Sequence, residues 1–85
     1  MTRLFVANIR FDSIDDDLAE LFGRFGPIKD TVVAMDKGTG NSRGFGFVEF
    51  QSPLDAEAAL KALDQTVWNG RTITVREAQK RSNNA

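Results

Sequence analysis

The segment Arg43-Gly44-Phe45-Gly46-Phe47-Val48-Glu49-Phe50 alternates with a period of two, and that alternation limits what the chain can become. Successive side chains of a strand point to opposite sides. One side of this strand carries Arg43, Phe45, Phe47 and Glu49, and the other carries Gly44, Gly46, Val48 and Phe50. The segment Arg3–Asn8 divides likewise, into Arg3, Phe5 and Ala7 against Leu4 and Val6. Arg71–Glu77 gives Thr72, Thr74 and Arg76 against Ile73 and Val75. Each strand has an apolar side and a side that mixes charge and threonine, with phenylalanine on two of them. A sheet made of them has one face to bury and one that is neither core nor ordinary surface.

The rest of the chain says how much cover is at hand. Ser13 reads as a helix N-cap with acid in the first turn behind it. Ile14, Leu18, Leu21, Phe22 and Phe25 form an apolar stripe at helical spacing, and Gly26-Pro27 stops it. Ile28–Met35 is a second strand, and Asp36–Ser42, with Gly38 and Gly40, a connection. Ser52-Pro53 opens a second helix whose stripe is Ala56, Ala59, Leu60 and Leu63. Thr66–Trp68 and Arg71–Glu77 flank Asn69-Gly70, a hairpin-type turn, with Trp68 packing at the sheet edge. The order is β-α-β-β-α-β, a split βαβ arrangement. The expected class is α+β: a ferredoxin-like sandwich with a four-stranded antiparallel sheet and two helices on one face. Two helices cover one face only, and the purely apolar one is Leu4, Val6, Val48, Phe50, Ile73 and Val75. Phe5, Phe45 and Phe47 are left on the bare face. One exposed phenylalanine means nothing, but three on one face mark a binding surface. Flat rings interleaved with arginine suit single-stranded nucleic acid, whose bases stack and whose phosphates need neutralising.

Bulk properties narrow the alternatives. The 85 residues suffice for one domain, read as 1–81, with a polar tail at 82–85. Without cysteine there is neither a disulfide framework nor a thiolate metal site, and without histidine the commonest general base and metal ligand are missing. No cofactor and no metal are expected. No apolar run approaches the ~20 residues that span a bilayer, and the start Met-Thr-Arg-Leu-Phe lacks a signal-peptide layout. The expectation is a cytoplasmic chain with no membrane partner. A net charge of −1 and a pI near 5.3 run against the usual basic footprint. The distribution reverses that impression. Asp12, Asp15, Asp16, Asp17, Glu20, Asp55, Glu57 and Asp64 fall in or beside the helices, whereas Arg3, Arg43, Arg76, Lys80 and Arg81 fall on strands or the tail. The Asp15–Asp17 run is a helix N-terminal charge cluster rather than a metal site. Gly44 and Gly46 lie inside a strand and are no phosphate cradle.

With these residues in place, the chain resembles an RNA recognition motif. Arg43–Phe50 matches the eight-residue signature of that family at every defined position. Leu4-Phe5-Val6-Ala7-Asn8-Ile9 is similar to its six-residue signature on the first strand, and the likeness runs from about Arg3 to Arg81. The stretch Arg71–Gln79 resembles the last strand and exit of small single-motif proteins, including the glycine-rich RNA-binding proteins of plants and cyanobacteria. The resemblance implies that Phe5 and Phe45 or Phe47 stack on bases or wedge against ribose. It implies that Arg43 meets a phosphate, and that Arg76, Glu77 and Gln79 lie where base edges are hydrogen-bonded. Arg3 and Arg76 border the aromatic cluster and join the candidate site. RNA as the partner, with single-stranded DNA as the second candidate, rests on the resemblance.

Two other classes compete. Some members of this fold family bind peptides through the helical side, so the acidic helix faces suggest a protein-interaction module. An acylphosphatase-like hydrolase has the same element order but needs a phosphate-cradling loop after the first strand. Here that loop is Ile9-Arg10-Phe11-Asp12, with an acid and no glycine. The expectation is a non-catalytic monomer that takes no small-molecule substrate.

Overall fold

A computed structural model of the chain describes residues 1–78. The elements run β1 (Arg3–Ala7), α1 (Asp15–Phe22), a 3-10 turn (Gly23–Phe25), β2 (Ile28–Met35), β3 (Ser42–Phe50), α2 (Pro53–Leu63), β4 (Val67–Trp68), β5 (Arg71–Thr72) and β6 (Thr74–Glu77). Strands β2, β3, β1 and β6 lie side by side in that order, each antiparallel to its neighbour. This is the ferredoxin-like α+β architecture expected from the element order.

The alternation in β1, β3 and β6 decides which face the helices take. Leu4, Val6, Val48, Phe50, Ile73 and Val75 are buried and form the core with Leu18 and Phe22 of α1 and Ala56 and Ala59 of α2. Leu21, Phe25, Ile28, Leu60, Leu63 and Trp68 pack around its margin, Trp68 from β4, which lies outside the four-stranded sheet. Small residues let the layers close up. A Cβ on Gly46 would stand 2.6 Å from the Val32 carbonyl oxygen and 2.9 Å from Leu18 Cδ1, so only glycine admits α1 this near the sheet. Gly44, two residues before it, takes φ +92°, which other residues adopt only under strain. There the Ser42 hydroxyl accepts from the Gly44 N–H at 2.9 Å.

Three local details depart from the sequence reading. Ser13 does not cap α1; it is buried one residue outside, and Ile14 occupies the N-cap position. Isoleucine has no acceptor, so the Asp17 carboxylate instead accepts from the Ile14 N–H at 2.9 Å, the returning half of a capping box. The acidic run is also more than a dipole partner. Asp15 accepts from the Val33 N–H of β2 at 2.8 Å, fastening the helix start to the sheet's outer strand. The expected strand Arg71–Glu77 is broken at Ile73. Its first part pairs with β4 as a small ribbon, Val67 opposite Thr72 and Trp68 opposite Arg71, and its second part pairs with β1. Ile73 must be core while the ribbon lies outside the main sheet, so its backbone bonds Thr66 and Gln65 rather than β1. The Asp64 carboxylate then accepts from the Val75 N–H at 2.8 Å, where the chain enters the sheet. By contrast, α2 begins as read, with the Ser52 hydroxyl accepting from the Leu54 N–H and Pro53 in the first turn.

Candidate functional site

Register assembles the aromatic cluster. β1 lies between β3 and β6, with Phe5 opposite Phe47 on one side and opposite Arg76 on the other. One step along, Ala7 faces Phe45 and Thr74. A small residue at Ala7 leaves room, so Phe5 meets both rings of β3. Its centroid is 5.5 Å from that of Phe47 and 5.7 Å from that of Phe45. Phe45 and Phe47 stand 6.2 Å apart and nearly perpendicular, at 88°. Phe45 and Phe47 meet edge to face, as aromatic quadrupoles favour, while Phe5 is tilted at 39° to Phe45 and 55° to Phe47. Each phenylalanine is half-buried rather than fully open, because neighbouring rings and arginine stems cover its flanks.

The arginines read from the sequence divide into two kinds. Arg3 sits opposite Glu49, with Nη1 3.7 Å from Oε1, and its guanidinium lies 4.8 Å from the Phe47 ring centre. Much of its charge is already answered. Arg43 lies 5.6 Å from the centre of the Phe45 ring and, among the described residues, has no carboxylate within ion-pair distance. Arg76 is exposed beside Phe5 and is likewise unpaired among the described residues. In the loop after β1 the Arg10 guanidinium donates to Asp12 at 3.0 and 3.2 Å. That hydrogen bond holds the Asp12 carboxyl below its ordinary range and raises Arg10.

The remaining candidates are less closely gathered. Glu77 is opposite Leu4, so alternation directs it to the helix side at an exposed strand end, away from the phenylalanines. Gln79, with Lys80 and Arg81, lies outside the described residues. Three residues adjoining the cluster were missed. Val32 on β2 is opposite Phe47 and 42% exposed, an apolar extension of the platform. Carrying the alternation across to β2 would have found it. Asn8 and Arg71 are joined at the exit of β1, a contact between distant parts of the sequence that no local pattern announces.

Among the described residues no helix is long and apolar enough to cross a membrane. The model of the RNA recognition motif matches residues 4–74. A glycine-rich RNA-binding protein of Mycosarcoma maydis is 40% identical over 79 residues, which cover 93% of this chain and 45% of that protein. The chain thus spans about half the length of that relative. A Synechocystis sp. chain named RNA-binding protein RbpA is 38% identical over 80 residues, covering 94% of this chain and 79% of that one. Among solved structures, the crystal structure of the RNA binding protein PG1 superimposes with a TM-score of 0.90 at 34% identity, over 98% of this chain and all of that one. Fold, signatures and relatives agree: the chain belongs to the RNA recognition motif family.

Proposed function

We propose that the domain, taken as residues 1–81, binds single-stranded RNA by stacking bases on Phe5, Phe45 and Phe47, and that it carries out no chemistry. The observation that supports this most is the meeting of three half-exposed rings on the face that neither helix covers. Stacking contributes ~1–3 kcal/mol per base, so three bases near the upper end approach the ~8 kcal/mol of micromolar binding, and cations at the rim supply what stacking leaves. Arg43 and Arg76 supply cations at the rim, and Arg3 supports the Phe47 ring while contributing a weaker charge of its own. Glu77, the last residue of β6, serves base recognition through its main chain, and Gln79, two residues further along the sequence, is the second candidate for that role. The names of the relatives and the family favour RNA over DNA; rings alone do not distinguish the two, because stacking does not sense the 2′-hydroxyl.

The deciding experiment is an amide-shift titration with randomised short RNA and DNA pools. Shifts clustered on β1, β3 and β6, with tighter RNA binding, are expected. Shifts confined to α1 and α2 would sink the proposal in favour of a protein-interaction module. Equal affinity for both pools would remove the RNA preference and leave the platform.

A further inference from the structure

Asn8 and Arg71 form a joint that the motif reading leaves without a role. Asn8 follows β1 with φ +64°, a left-handed conformation that asparagine tolerates better than most residues. That turn presents both its oxygens to one guanidinium: Arg71 Nε donates to the Asn8 carbonyl at 3.1 Å, and Nη2 donates to Asn8 Oδ1 at 2.6 Å. Asn8 Nδ2 in turn donates to the Thr72 carbonyl at 2.6 Å, closing the joint against the β4–β5 ribbon. The arginine is held at two points, so little side-chain freedom remains to be lost on binding.

Its electrostatics are unlike those of Arg3. Both acceptors on Asn8 are neutral, and among the described residues no carboxylate lies within ion-pair distance of Arg71. Arg71 is exposed, and its Nη1 group has no partner among the described residues. The position matters too. Ala7 is flanked by Phe45 and Thr74, so the joint at Asn8 lies one residue beyond the end of the aromatic row. The cluster therefore has a compensated cation at the Arg3–Glu49 end and a fixed, uncompensated one at the Asn8–Arg71 end.

Resting on the stacking reading above, we propose that Arg71, positioned by Asn8, is a phosphate-binding residue for the nucleotide just past the base on Phe45. The strand accordingly leaves the platform along the β4–β5 ribbon. A fixed guanidinium suits a phosphate because its donors already diverge from a plane held in place.

Amide-shift titrations of the wild type, Arg71→Gln and Arg71→Lys with randomised RNA dinucleotides and octanucleotides at two salt concentrations test this. Dinucleotides stacked on the rings have no phosphate to spare for Arg71 and should bind all three proteins alike. Octanucleotides should bind Arg71→Gln about fivefold more weakly than wild type at low salt. Their log–log salt dependence should be shallower by about 0.7, one phosphate on a single strand. Arg71→Lys, which keeps the charge, should retain the wild-type salt slope. The inference fails if Arg71→Gln matches wild type on octanucleotides, or loses equally on both lengths, or if Arg71→Lys shows the shallower salt slope of Arg71→Gln. A wild type that binds neither length overturns the stacking proposal itself, and this one with it.

Discussion

Strand β3 contributes to phenylalanine pairs on both faces of the sheet, and one from each face bears comparison. Phe50 meets Phe22 of α1 at 6.4 Å and 63°, sealed in the core at 1% exposure or less. Phe47, three residues earlier, meets Phe5 at 5.5 Å and 55°, half-exposed. The ring geometries are close to each other, and the residue type is the same. What differs is the layer above: a helix covers one pair and nothing in the described chain covers the other. Position in a layered architecture, not the side chain, seals one pair in the core and leaves the other on the uncovered face.

The comparison can be broken most forcefully from the core side. Phe50→Ala should cost ~3–5 kcal/mol, a large share of what a domain of this size has to lose, measured by urea unfolding. If the open-face pair were equally structural, Phe47→Ala would match it. Gly46→Ala comes next, on the same strand as the platform but facing α1. The added methyl meets the Val32 carbonyl and Leu18, and overpacking of this kind costs ~1–3 kcal/mol. Its thermal midpoint should fall, while RNA affinity per folded molecule should hardly change. Phe5→Ala and Phe47→Ala should show the reverse: RNA binding weaker by ~1–3 kcal/mol for each stacked base lost, and a stability cost well below that of Phe50→Ala. A loss of stability as large as that of Phe50→Ala would place these rings in the core. The smallest effect belongs to a pair on neither aromatic cluster. Because Asp12 is more acidic in the fold than in the unfolded chain, its contribution exists at neutral pH and disappears as pH drops through its lowered pKa. Asp12→Asn should therefore be slightly less stable than wild type near neutrality and converge with it in acid.

Much of this difference was legible in the sequence, because period-two alternation over Arg3–Asn8 and Arg43–Phe50 assigns every side chain to a face once the strands are accepted. Counting two helices then settles which face is covered. Readings that failed depended on contacts that residue type and alternation do not fix. Ser13 is a good N-cap by type, but Asp17, reaching back to Ile14, makes the cap that forms. Arg71–Glu77 is continuous by propensity, yet the step from ribbon to sheet breaks it at Ile73. Register sets Arg3 against Glu49, a pairing that alternation along a single strand does not show. The half-burial of the phenylalanines follows from their crowding one another, which alternation alone does not measure.

The fastening of Val33 to Asp15 has a consequence for association between chains. β2 is an outer strand of the sheet, and outer strands offer unpaired backbone groups to any passing strand. Here the pairing of β2 with β3 shifts register between Ile28 and Asp30 and again between Val33 and Met35, and one intervening N–H is already taken by a carboxylate. A second chain meets an uneven border with an anion over it rather than a flat ladder. A fold that leaves three aromatic rings uncovered has good reason to keep such a border, since stickiness on the face is then not joined by stickiness along the edge.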